Sequence, residues 1–112
     1  MPAMPEYVRL ARLTAAGLAT RLGFSYDDVE DLRIAVDELC YLLVGSDGRP
    51  GSITLTYGVA DDELVVEGEG AAGGKPEFAE LSEQILAALV DEYEVVRSDG
   101  RVTFRMVRRR RG

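Results

Sequence analysis

Acid or base chemistry in this chain falls to carboxylates, because its 112 residues include no histidine. A Ser-His-Asp triad, a Cys-His pair and most zinc sites need an imidazole, so those classes are set aside. The lone cysteine, Cys40, excludes an internal disulfide, as suits a reducing compartment. A single thiol could serve as a redox switch, but its spacing places it on the apolar side of a helix, where cysteine is usually inert packing. Arg9 and Arg12 carry planar forks able to grip a carboxylate, although composition alone reads them as surface arginines. The glycines at Gly68, Gly70, Gly73 and Gly74 could let a backbone approach a ligand; the plainer reading is a flexible connector.

The element that must position these groups runs from Val29 to Val44. Leu32, Val36, Leu39 and Leu43 recur at helical spacing, and Ala35 and Cys40 widen that stripe into a core wall. Asp27, Asp28, Glu30 and Asp31 collect at its start, where carboxylates suit the helix dipole, and Ser25 is the expected cap. Before it, Met1 to Pro5 is an extended lead-in, and a first helix carries Val8, Ala11, Ala15, Leu18 and Leu22 on one face until Gly23 stops it. Gly45 to Gly51 is a turn-rich link.

Alternation then predicts strands. Ile53, Leu55, Tyr57 and Val59 share one face, and a turn at Ala60 to Asp62 leads into a second strand from Glu63 to Glu67. A third helix from about Glu77 to near Asp91 presents Phe78, Leu81, Ile85 and Leu89. Tyr93 to Arg97 and a strand carrying Val102, Phe104 and Met106 flank a Ser98-Asp-Gly100 turn. The tyrosines, Tyr7, Tyr26, Tyr41, Tyr57 and Tyr93, read as amphipathic core edges. This order predicts an α+β fold, a two-layer α/β sandwich with three helices over one mainly antiparallel four-stranded sheet whose other face is wetter.

The length fits a single domain over 1–112 that buries roughly 60 to 70% of the surface its unfolded chain exposes. No apolar run reaches the ~20 residues of a membrane span and no secretory leader is evident, so a cytoplasmic protein is expected. Net charge is −7, and without Arg105 and Arg108 to Arg111 eight cations face twenty carboxylates, a balance of −12. Such a body repels phosphates, which argues against direct nucleic-acid binding. Residues 108–112 read as a basic, frayed and solvated tail.

The paired N-terminal helices, Ala35-Val-Asp-Glu38, the following hairpin and Ala88-Leu-Val-Asp-Glu92 together resemble the anti-sigma-factor branch of the GHKL (Bergerat-fold) ATPases. That is the group of the serine kinases RsbW and SpoIIAB, and within it the chain is most similar to the UsfX-like anti-sigma factors. The resemblance covers about Pro5 to Val107. It implies three nucleotide elements. In a Glu-x-x-x-Asn pattern the carboxylate activates a hydroxyl and the amide helps hold magnesium; Glu38 occupies the base position, but the Asn position is Leu42. An Asp-x-Gly-x-Gly pattern reads adenine; here Gly68-Glu-Gly70-Ala-Ala72 keeps only the middle glycine, and sliding to Glu67 keeps neither. The phosphate-cradling Gly-x-Gly falls on Glu80 and Ser82, with Glu77 and Glu83 nearby, and carboxylates repel a triphosphate.

What the resemblance implies is therefore a regulator without a catalytic, nucleotide or metal site. Glu38 is then a relic, a helix carboxylate partnered by Arg33 or by solvent. The family's sigma contact resembles Phe-Ala-Arg-Val, matched here by Leu10-Ala-Arg12-Leu13, so Arg12 inherits a partner-facing role with Arg9 as the weaker candidate. Expected partners are a sigma factor, a STAS-type anti-anti-sigma protein and, by the family's habit, a second copy. The alternative is an active serine kinase that uses ATP with magnesium to phosphorylate its antagonist.

Overall fold

The computed structural model describes residues 1–44, 51–71 and 80–110, without the side chains of 80–83. The described elements are α1 (Pro5–Arg21), α2 (Tyr26–Val44), β1 (Thr54–Ala60), β2 (Glu63–Ala71), α3 (Glu80–Leu89), β3 (Glu92–Ser98) and β4 (Arg101–Arg109). The link at 45–50, the glycines Gly73 and Gly74, and Glu77 and Phe78 lie outside the described residues.

α2 forms as its spacing predicts. The Ser25 hydroxyl accepts the Asp28 N–H at 3.2 Å, satisfying one of the free amides of the first turn. Leu32, Ala35, Val36, Leu39, Cys40 and Leu43 are all buried and form the centre of the core. α1 lies against α2 through Ala11, Ala15 and Ala19, side chains small enough to let two helices approach closely. It ends at Gly23, whose φ of +85° is a left-handed conformation that other residues enter with strain. The lead-in is extended, and Ala3 donates to the Gly51 carbonyl at 3.1 Å.

Among the described residues the sheet has four strands in the order β1-β2-β4-β3, every neighbouring pair antiparallel. Two tight turns close its hairpins. Asp61 takes φ +52° between β1 and β2, and Asp99 and Gly100 take +50° and +75° between β3 and β4, the paired left-handed geometry that matches strand twist. The inner face presents Leu64, Val66, Val102, Phe104 and Met106 to the helices. The outer face is polar and ion-paired: Arg109 binds Glu63 at 2.7 Å and Glu92 at 2.6 Å, and Arg101 binds Glu69 at 2.7 Å.

Four expectations need correction. β2 does not stop at Glu67 but continues to Ala71, so Gly68 and Gly70 are paired strand residues opposite Phe104 and Val102 rather than a connector. A Cβ at Gly68 would lie 2.3 Å from the Phe104 ring, and one at Gly70 would lie 3.0 Å from Ile53 Cγ2. The glycines make room for core side chains. α3 is rolled from its expected face: Leu86 is fully buried and Val90 nearly so, while Ile85 and Leu89 are only partly covered. Tyr26 and Tyr41 are 78% and 51% exposed, so neither is a core edge.

The fourth correction concerns the tail. Arg108 and Arg109 belong to β4, and Arg110 donates its N–H to the Asp62 carbonyl at 2.7 Å. Arg108 alternates onto the inner face and is 5% exposed. Its guanidinium bonds the Asp28 carboxylate at the start of α2, lies 3.4 Å from Asp31 and donates to the Leu89 carbonyl at the end of α3 at 2.8 Å. A buried cation needs such partners, and removing one leaves the other charge without compensation.

Arg108→Ala is therefore expected to lower stability by about 3 kcal/mol or more in urea unfolding, whereas Arg109→Ala on the exposed face shifts the midpoint far less. Alkali should also unfold the domain. Burial and the nearby Asp37 push the Cys40 thiol up from 9.0 to about 12, and burial pushes Tyr57 from 10.0 to about 12. Above pH 9 the unfolded chain sheds protons that the native form keeps, so stability should fall as pH rises from 9 toward 12. Urea midpoints at pH values on either side of 9 check this, and Cys40→Ala should flatten the slope.

Candidate functional site

α2 carries both residues of the first nucleotide element. Glu38 lies on its half-exposed flank, one turn before Leu42. Leu42 is 7% exposed and belongs to the hydrophobic core, so this position offers a magnesium ion a hydrocarbon instead of an oxygen. Arg33, considered as a partner for Glu38, bonds Glu30 at 2.7 Å. The second element is the Gly68-Glu-Gly70 stretch, whose backbone is engaged in the ladder between β1 and β4. Glu69 points to the outer face, where it pairs with Arg101 at 2.7 Å. Within the described residues this stretch is therefore strand, with Phe104 against Gly68 on the inner face. For the third element, Glu80 opens α3, and the side chains of Glu80, Ser82 and Glu83 lie outside the description. No group of three or more Cys, Asp or Glu side chains that could hold a metal ion occurs among the described residues.

The groups expected to face a partner do come together. Pro5, Val8, Arg9 and Arg12 recur at helical spacing along one side of α1, as Asp37, Tyr41 and Val44 do along α2, and the furrow between them encloses about 300 Å³. Arg12 donates through one terminal nitrogen to Asp37 Oδ2 at 2.9 Å, with 32% and 38% of the two side chains exposed. Arg9 is exposed one turn earlier. Ile34, 46% exposed, continues the outward line of Asp37 and Tyr41 along α2. On another side of α1, Leu10 and Leu13 are 54% and 53% exposed, next to a shallower groove lined by Met1, Thr14, Leu55 and Tyr57.

Sequence reasoning singled out Arg9 and Arg12 but not the α2 residues that share their furrow. The usable signal was an outward stripe on a core helix that holds an isoleucine and a tyrosine where solvent-facing residues are usually charged. Cys40 lies fully buried beneath this wall, as expected of packing.

The chain is 45% identical over 75 residues to the serine-protein kinase RsbW of Bacillus licheniformis, covering 62% of this chain and 47% of the relative. It is 43% identical over 75 residues to RsbW of Bacillus subtilis, with the same coverage of 62% and 47%. With RsbW of Bacillus pumilus it shares 37% identity over 100 residues, or 82% of this chain and 62% of the relative. The chain spans about half the length of the first two relatives. No described helix is long and apolar enough to cross a membrane. The histidine kinase-like ATPase domain model matches residues 1–108, nearly the whole chain, and the chain belongs to that family, the GHKL group its sequence resembles.

Proposed function

We propose that this domain is a cytoplasmic anti-sigma regulator, one that binds and sequesters a sigma factor through α1 and is relieved by a STAS-type anti-anti-sigma protein. In this reading nucleotide binding is lost or greatly weakened, and the work is competition between protein partners, without direct contact to nucleic acid. The observation that carries it is the path of β2: Gly68 and Gly70 are built into the sheet beneath Phe104 and Ile53, and Leu42 fills the metal position with hydrocarbon. The arginine-bearing furrow supports a protein-binding role in turn, since planar guanidinium groups favour carboxylates and a desolvated apolar floor adds affinity. Pairing into homodimers, as the resemblance implies, belongs to the same proposal.

The second reading is an active serine kinase that phosphorylates its antagonist. Its support is specific: the relatives are named serine-protein kinases, and Glu38 stands half-exposed at the family's base position.

Calorimetry with ATP and magnesium separates the two. The regulator reading expects no saturable heat at micromolar protein; a micromolar affinity abolished by Glu38→Ala or by removing magnesium establishes the kinase reading instead. Co-purification from the native host tests the partner. A sigma subunit should be recovered with the wild-type protein and lost with Arg12→Glu, and an unchanged yield from that variant would sink the role given to α1.

A further inference from the structure

The furrow between α1 and α2 has a feature that a helix clamp does not need. Arg12 is held by Asp37 through one N–H, at 2.9 Å, although its fork could take a carboxylate with two. The pair is partly buried, with 32% and 38% of the two side chains exposed, and pairs this open to water contribute only modestly to holding a fold together. Asp37 Oδ1 is buried and accepts no hydrogen bond among the described residues. Around the pair, Val8, Tyr41 and Val44 give an apolar floor, and Arg9 adds a second cation.

Resting on the reading of α1 as partner-facing, we infer that Asp37 is an internal stand-in for a partner's carboxylate, occupying Arg12 until an acidic segment displaces it. The occupant is a helix of the partner that carries a carboxylate one turn before an apolar side chain. Charge complementarity selects it. In a chain of net charge −7, Arg9 and Arg12 form a local cationic spot, and among the described residues the only carboxylate lining the furrow is Asp37 itself. The incoming carboxylate takes the Arg12 fork bidentately, Asp37 turns out to solvent, and the apolar side chain settles against Val8 and Tyr41. Asp37 thereby sets a threshold. A segment without a carboxylate cannot displace it, and it is excluded by an unpaired charge rather than by shape.

The test titrates the full chain, followed by heteronuclear NMR of the Arg12 and Tyr41 side chains, with a short helix-forming peptide carrying Glu and Leu at i and i+4. Its Gln counterpart serves as the control. Asp37→Asn, nearly isosteric and half-exposed, is expected to tighten the Glu peptide by about two- to five-fold, the range over which an exposed ion pair competes. Arg12→Gln should abolish the gain in both backgrounds. If Asp37→Asn weakens binding or leaves it unchanged, if the Gln peptide binds equally well, or if neither protein shows shifts at Arg12 and Tyr41, the inference is overturned. A parallel titration with the sigma factor recovered from the host keeps the two readings apart. Peptide behaviour as expected beside a sigma factor that ignores the furrow upholds the inference and removes the proposed function.

Discussion

A cation buried among three elements holds this architecture in register. Arg108 reaches from the last turn-length of β4 to the first turn of α2 and to the carbonyl end of α3, and it satisfies at once a carboxylate, a helix C-terminus and its own charge. The hydrophobic contacts around it are non-directional. They would tolerate small slides of α2 and α3 over the sheet, whereas a guanidinium with fixed donor directions does not. Because Asp28 also receives the Ser25 cap through its amide, the start of α2 is fixed from both its backbone and its side chain.

That anchoring matters for α1, which has only modest claims of its own on the core. It contributes alanines to the interface and exposes leucines, so its position follows from α2 beneath it and from Tyr57, whose hydroxyl donates to the Ala11 carbonyl at 3.1 Å. A face built on such a helix is precise only as far as its support is rigid. The furrow inherits that rigidity, with one wall on the best-buried helix of the molecule.

Much of this was legible in the sequence, for reasons that differ element by element. α2 combined a clear period, a capping serine and an acidic first turn, and all three agree in the structure. The Ser98-Asp-Gly100 turn carried its own left-handed signal. Arg108 was not legible, since a charged run at a chain end looks like solvated tail and its partner Asp28 lies 80 positions away. Gly68 and Gly70 looked like a connector because small residues say nothing about the ring that needs their missing side chains. α3 offered two competing faces, and only the burial of Leu86 in the core decides between them. Arg12 became a candidate through a family resemblance, while its bond to Asp37, 25 positions on, is a tertiary fact with no local trace.

The outward face of the sheet has a consequence for how the molecule meets an outside anion. Acids and arginines alternate there across neighbouring strands: Glu63, Arg109 and Glu92 are linked, and Arg105 sits in register between Glu67 and Glu94. Each arginine on that side lies beside carboxylates of the flanking strands, so its charge is met at short range within the sheet. An arginine held between two carboxylates in this way is less available to an outside anion than a lone surface cation would be.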